Sequence, residues 1–360
     1  MKIQCKCCER VYDIPDERLP FGENVSFPCP ACKKTIEINL KSKTGSECIC
    51  EDTEAATAPR KQKAAYEPEC RTDGSGDFSK GEALKKTILR CLKELPPMPQ
   101  VMLKAKDIMN DPKSDFRGLS DILESDQAMA TRVLRLSNSA YYGLAGKVTS
   151  LQHAAVLLGY QTVGEIISIA SSSTLLGNSL GGYRLGSGDL WHHSLAVAIA
   201  SRKIAGIVNP EIESDAFAAG LIHDAGKLVL DKYLMERSLL FDKYMADGSK
   251  TFLEAEKAIL GFDHGEIAAD VCKSWKIPFS LVSAICNHHR PSRSNENMLT
   301  CIIHTADSLA LKKGIGAGMD GMLYKTDEKA LEVVGIDEEK LEDIIEDTAE
   351  SVEKITSEMQ

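Results

Sequence analysis

The chain has 360 residues, with 43 Lys and Arg against 53 Asp and Glu and 43% apolar residues. At about 150 residues per domain that length predicts two or three domains, and this apolar share with 27% charged residues excludes a wholly disordered chain. The formal charge of −10 is local: residues 327–360 hold 13 acids and 3 bases, and the remainder is balanced.

The start, Met1-Lys2-Ile3-Gln4-Cys5, lacks the charged-then-apolar pattern of a signal peptide, and no apolar run approaches the roughly 18 residues of a membrane span. The expectation is a cytosolic protein without a membrane segment. Twelve cysteines in that compartment point to metal ligation rather than disulfides wherever they cluster.

Residues 1–40 carry two such clusters, Cys5-Lys6-Cys7-Cys8 and Cys29-Pro30-Ala31-Cys32. Cys5 with Cys8 and Cys29 with Cys32 give two C-x2-C knuckles, whose four thiolates can converge on one Zn(II). A closed four-cysteine set leaves no open position, so this zinc is structural, and a unit of this size is expected to fold only with it. Cys7 falls outside the regular spacing. The segment, with Tyr12-Asp13-Ile14-Pro15 after the first knuckle, resembles the small prokaryotic zinc ribbon found at the amino terminus of bacterial regulatory proteins. Its six bases and six acids form no electrostatic footprint for nucleic acid.

Residues 41–80 hold one aliphatic side chain larger than alanine, Ile49, and read as a disordered linker carrying Cys48, Cys50 and Cys70 as free thiols. From residue 81 the pattern is helical. Leu119, Ile122 and Leu123 follow Ser114, and Met129, Val133 and Leu134 follow Asp126, at three-to-four spacing. Ser150 is expected to cap a helix through Leu158, Gly159 to stop it, and Thr162–Ala170 to form the next. The pair looks like a helix-turn-helix, but no Lys or Arg lies between Lys147 and Arg184, so packed core helices are the better reading. After Gly335, Asp337 is expected to cap a helix whose stripe of Leu341, Ile344, Ile345, Val352 and Ile355 docks on the core with its acids facing water.

Seven of the eight histidines lie between His192 and His304. In Gly220-Leu221-Ile222-His223-Asp224-Ala225-Gly226-Lys227, the histidine and aspartate can supply a nitrogen and an oxygen to one divalent cation, and the carboxylate can bridge to a second. Lys227 would offer its charge to a phosphate. His193 lies in an apolar helical run. His264 belongs either to a metal site or to an exposed capping turn. His288 and His289 lie about 100° apart on a helix and can share a cavity only if the helix ends there, which Arg290-Pro291 favours. Asp307 follows His304 by one helical turn.

Several motifs occur in order: Leu95-Pro96-Pro97-Met98-Pro99, the run from Leu134 through Ser137-Asn138-Ser139-Ala140-Tyr141-Tyr142-Gly143, Leu157-Leu158-Gly159, Leu190-Trp191-His192-His193-Ser194, Ala216-Phe217 and His223-Asp224. Together they resemble the HDOD domain, the HD-related output domain of bacterial signal transduction. The resemblance implies a mainly α fold in which a helical lobe joins an HD-type helical core, acting as a non-catalytic output or protein-interaction module. The expected organisation is a small β zinc ribbon at 1–40, the linker at 41–80, the HDOD domain at 81–310 and an acidic helical extension at 311–360.

The wider HD superfamily, including the HD-GYP phosphodiesterases, is similar over the second half. That resemblance assigns His193, His223, Asp224, His264, His288, His289 and Asp307 as a metal site for Fe, Mn or Mg, with Lys227 the following lysine. All are filled, which gives the alternative of a metal-dependent phosphohydrolase acting on a nucleotide or cyclic dinucleotide, with Lys227 and Asp224 in its chemistry. Arg290-Pro291-Ser292 stands where an HD-GYP enzyme has glutamate and its glycine-tyrosine-proline loop, a cation where a carboxylate ligand belongs. Protein partners of a signalling pathway are expected and nucleic acid is not; homodimerisation stays open.

Overall fold

The computed structural model describes strands at residues 2–4, 11–13, 24–28 and 35–39, then residues 81, 84–88, 127–144, 146–318 and 324–359. Cys5, Cys7, Cys8, Cys29, Cys32, the linker at 41–80 and the run from Leu95 through Leu123 lie outside them. The chain divides into two units, residues 1–67 and 68–360.

In the first unit β1 (Lys2–Gln4) pairs antiparallel with β2 (Val11–Asp13), placing Ile3 opposite Tyr12. A second hairpin joins β3 (Asn24–Pro28) to β4 (Thr35–Asn39), with Val25 opposite Ile38 and Phe27 opposite Ile36.

The second unit is all-helical among its described residues, apart from a single bridge between Leu180 and Leu185. Helix α1 (Gln127–Ser137) buries Met129 and Val133 as expected, with Leu136 completing the stripe and Leu134 half-buried. Ser150 caps α2 (Leu151–Leu158), its hydroxyl accepting from the His153 N–H at 3.0 Å. Gly159 ends the helix at φ 82°, a conformation that penalises a Cβ. Helix α3 (Tyr160–Leu176) runs longer than expected and is buried continuously from Val163 to Ser172. Helix α3 is therefore a core helix, whereas α2 buries Leu151, Ala154 and Ala155 and leaves Val156 and Leu157 exposed.

Helices α4 (Asp189–Val208) and α5 (Glu213–Ile222) form the centre of the core. They approach so closely that a Cβ on Gly220 would lie 2.9 Å from the Ala198 Cα. Around them stand α6 (Gly226–Met235), α7 (Ser238–Met245), α8 (Phe252–Leu260), α9 (His264–Ser274), α10 (Phe279–Asn287) and α11 (Met298–Lys312). Local chemistry sets several starts: Thr251 and Glu254 close a capping box on α8, Asp263 caps α9 and Asn297 caps α11.

The acidic extension forms α12 (Glu328–Val334) and α13 (Glu338–Met359). Asp337 accepts from the Lys340 N–H at 2.8 Å, as its expected capping role requires. Leu341, Ile344, Ile345, Val352 and Ile355 are buried against α4, α1 and α11, while Glu342, Asp343, Glu346, Asp347, Glu350 and Glu353 face water. Among the described residues no helix is long and apolar enough to cross a membrane.

Candidate metal centre

Five parts of the helical core bring seven side chains to one place. His193 comes from the first turns of α4, and His223 and Asp224 from the turn between α5 and α6. His264 is the first residue of α9, His288 and His289 follow the end of α10, and Asp307 lies within α11. Helix α10 does end ahead of Arg290, and this lets both adjacent histidines reach the cluster. His264 is fully buried, since Asp263 and not His264 is the capping residue, and the exposed-turn reading of it falls.

Hydrogen bonds at the outer ring nitrogens fix which nitrogen faces inward. His223 Nδ1 donates to the Gly220 carbonyl at 2.7 Å, His288 Nδ1 to that of Ile285 at 2.6 Å and His193 Nδ1 to that of Ile315 at 3.0 Å. A carbonyl only accepts, so each Nδ1 carries a proton and a neutral ring offers a bare Nε2. His264 is held by Glu256, whose Oε2 accepts from its Nδ1 at 2.8 Å and from its backbone N–H at 3.0 Å. Glu256 Oε1 accepts in turn from the Tyr183 hydroxyl at 2.5 Å.

The inward atoms fall into groups whose members all lie within 4.8 Å of one another: Asp224 with His264, His288 and His289; His193 with His223 and Asp224; and His223 with His288 and Asp307. His193 Nε2 is 3.0 Å from Asp307 Oδ1, and His264 Nε2 is 3.3 Å from Asp224 Oδ1. His223 Nε2, His288 Nε2, His289 Nδ1 and Asp224 Oδ1 are buried without a hydrogen-bond partner. Leaving such atoms bare costs about 1–3 kcal/mol each, and more where the group is charged. Nitrogen and carboxylate donors converging in this way fit divalent metal.

Electrostatics prepare the same set. Burial pushes His288 down to about 3, with neighbouring His223 adding to the effect, and burial with His288 and His264 holds His289 well below the imidazole range. Burial also lowers His223. These three rings are therefore neutral, the form that binds metal. Burial opposes ionisation of Asp224, yet His223, Lys227 and His264 hold its carboxyl well below the usual range. Asp307 is likewise lowered against its burial by the hydrogen bond and charge of His193.

Lys227, expected to offer its charge to a phosphate, is buried, with Nζ 2.9 Å from Asp224 Oδ2 and 5.5 Å from the centroid of the Tyr183 ring. The Arg290 guanidinium lies 3.0 Å from Asp263 Oδ2. His304 is a brace, its Nδ1 donating to the His288 carbonyl at 2.7 Å and its Nε2 accepting from the Asp327 N–H at 2.8 Å. Glu256, which holds His264, and Tyr183, which holds Glu256, are not marked in the sequence; a glutamate within an amphipathic helix carries nothing distinguishing it from an acid on the water face.

Residues 95–291 match the model of the HDOD domain. The chain belongs to the HDOD family. Its helical fold is shared with an HDOD domain protein of unknown function from Geobacter sulfurreducens, at 22% identity and a TM-score of 0.61 over 78% of this chain and 97% of that one. A protein from Shewanella amazonensis SB2B named as a candidate phosphohydrolase aligns at 25% identity and a TM-score of 0.57, over 76% of this chain and 98% of that one. A candidate signal transduction protein from Marinobacter aquaeolei VT8 aligns at 20% identity and a TM-score of 0.58, over 79% and 66% of the two chains. An uncharacterized protein of Treponema pallidum (strain Nichols) is 18% identical over 197 residues, which are 54% of this chain and 38% of that protein's length. Within the HDOD domain, the seven metal-competent side chains lie in and just beyond the matched residues, Asp307 being the one beyond.

Proposed function

We propose that the HDOD domain of this chain binds divalent metal at the seven-residue centre and acts as a metal-dependent phosphohydrolase within a cytosolic signalling protein. The observation that carries this reading is the set of buried, unpartnered donor atoms on His223, Asp224, His288 and His289. A module acting only through its surface gains nothing from such atoms. The name of the Shewanella amazonensis neighbour supports the same reading.

His193, His223, Asp224 and Asp307 would hold one cation, and His264, His288 and His289 a second, with Asp224 common to both sets. Five imidazoles and two carboxylates favour a transition ion such as Fe, Mn or Zn over Mg, which prefers oxygen ligands. Such cations, when bound, supply Lewis acidity toward a phosphoryl oxygen and a lowered water pKa. The chain's own residues keep the donors in order: Lys227 balances Asp224, Glu256 orients His264, and backbone carbonyls fix His193, His223 and His288.

At the amino terminus, Cys5, Cys8, Cys29 and Cys32 would hold one structural zinc. The two hairpins support this, because each C-x2-C pair lies in the sequence between the strands of one hairpin.

A second reading, the non-catalytic output module that contacts protein partners, is favoured by Lys227, which is engaged by Asp224 instead of facing a substrate. Turnover separates the two. Metal-loaded full chain is expected to hydrolyse a phosphodiester such as bis(p-nitrophenyl) phosphate, a nucleotide or a cyclic dinucleotide, with Asp224→Asn slower by about 100-fold or more. A fully loaded chain that turns over none of them would establish the output-module reading instead.

A further inference from the structure

Six of the seven side chains of the metal centre are at most 4% exposed, and His289, at 9%, comes nearest to water. Its ring is covered. Half-buried Tyr324 lies flat on it, with ring centroids 4.9 Å apart and planes 19° from parallel. A route from solvent to the centre by its least buried side chain therefore passes the Tyr324 ring.

Tyr324 is placed there by the residues that follow it. The Asp327 N–H donates to His304 Nε2 at 2.8 Å, and His304 Nδ1 donates to the His288 carbonyl at 2.7 Å, so the segment is anchored on the peptide that joins the two histidines. The Ser292 hydroxyl, three residues past His289, donates to Asp327 Oδ2. Asp327 also caps α12, its Oδ1 accepting from the Lys329 N–H at 3.0 Å, and α12 is fixed in turn by its buried Ala330 and Val334. Between Tyr324 and Asp327 the ties are weaker. Lys325 is exposed, and the Thr326 hydroxyl is buried without a hydrogen-bond partner, a group that water would satisfy once the segment lifted.

We propose that Tyr324–Asp327 is an autoinhibitory strap: with Tyr324 on His289 the metal centre is shut, and a phosphoester reaches it only when Tyr324 swings away about Asp327. The regulatory part rests on the metal-centre reading; the cover over His289 does not. A stacked aromatic pair favours the closed form by about tenfold at most, so the strap is held shut without being locked.

Carbethoxylation of the metal-free full chain by diethyl pyrocarbonate, read by peptide mass spectrometry, tests the cover. His289 is neutral and therefore nucleophilic wherever the reagent reaches it, and exposed His153 on α2 is the internal reference. In the wild type His289 is expected to react at least about tenfold more slowly than His153. Tyr324→Ala is expected to speed it by about fivefold or more, and Tyr324→Phe, which keeps the ring, by less than about twofold. Ser292→Ala, an exposed change that unties Asp327, is expected to speed it by about twofold or more. Continued protection of His223 and His288 marks an intact core; if Tyr324→Ala loses it, Ser292→Ala decides. A wild-type His289 that reacts as fast as His153, or one that neither variant speeds, overturns the cover.

For the action on the centre, Mn(II) uptake and release by the full chain are timed by freeze-quench EPR of the free ion, with excess EDTA as the sink for release. A cover slows both directions, so Tyr324→Ala is expected to speed both by about fivefold or more and to leave the affinity within about twofold. Turnover of bis(p-nitrophenyl) phosphate is expected to rise by about the same factor. Unchanged rates, or a weaker affinity with unchanged uptake, would make Tyr324 a mere support for the His289 ring and overturn the strap, as would slower turnover. A wild-type chain that takes up no Mn(II) overturns the metal-centre reading, and one that binds it without turnover overturns the hydrolase; His289 labelling still decides the cover.

Discussion

His264 and His289 face each other with their Nε2 atoms 2.6 Å apart. Glu256 already takes the Nδ1 proton of His264, so a neutral His264 has only a lone pair to offer there. If His289 donated across the gap, its own bare Nδ1 would lie 3.7 Å from the Asp307 carboxylate with no hydrogen-bond partner. Two arrangements relieve this: a second proton on His264, or a cation ligated by both rings.

A pH dependence follows from the first arrangement. Burial works against charge on His264, but Glu256 and Asp224 outweigh it and raise the ring well above the imidazole range; His193 is raised against its burial by Asp307. Metal must displace these protons, so Mn(II) affinity is expected to rise from pH 6 to pH 8 with release of protons, measured in a weakly buffered indicator solution. His288, pushed down to about 3, is already neutral there and adds nothing. An affinity flat across that range contradicts this account of His264.

Glu256→Gln keeps an oxygen for the His264 Nδ1 proton and removes the charge behind it. Metal affinity is expected to fall by about 10–100-fold with little change in far-ultraviolet dichroism. Glu256→Ala, which strips partners from both Tyr183 and His264, is expected to lower the stability of the metal-free chain as well, by about 1–3 kcal/mol per orphaned group in urea unfolding. Wild-type affinity in both variants would show that His264 needs no such support.

Gly226 begins α6 where it crosses α9, and a Cβ there would lie 2.0 Å from the His264 carbonyl oxygen and 2.7 Å from the Ala268 nitrogen. Helix propensity favours alanine by about 1 kcal/mol, but the contact is with backbone that cannot give way. Gly226→Ala is expected to destabilise by about 1–3 kcal/mol and to reduce metal content. Gly146→Ala, with nothing within 4 Å of the added Cβ, serves as the control and is expected to leave both unchanged.

The acidic terminus divides into a docked stripe and a wet face. Ile355→Ala, at a fully buried position, is expected to cost about 2–4 kcal/mol in urea unfolding, and Glu342→Gln on the exposed face less than about 0.5 kcal/mol. Equal and small effects from both would mean that the helix does not contribute to the core.

The helical class, the caps at Ser150 and Asp337 and the buried stripe of α13 were all legible, because capping chemistry and periodicity are local signals. The seven side chains that converge in the core were singled out by the motif order of a known family, and histidines confined to one region reinforced it. What the linear pattern did not carry was direction. Lys227 reads as a cation facing a phosphate, yet it is turned onto Asp224 three residues before it, and Arg290 pairs with Asp263, which only the packing brings near. Glu256 escaped for the related reason that its partners, Tyr183 and His264, lie 73 and 8 residues away.

The central claim is that the HDOD core holds metal at a preformed centre, and metal content per chain tests it most directly. Purified full chain is expected to carry three metal ions, of which Asp224→Ala loses two and Cys5→Ser loses one zinc. A wild-type chain with a single metal that Asp224→Ala leaves in place would contradict it.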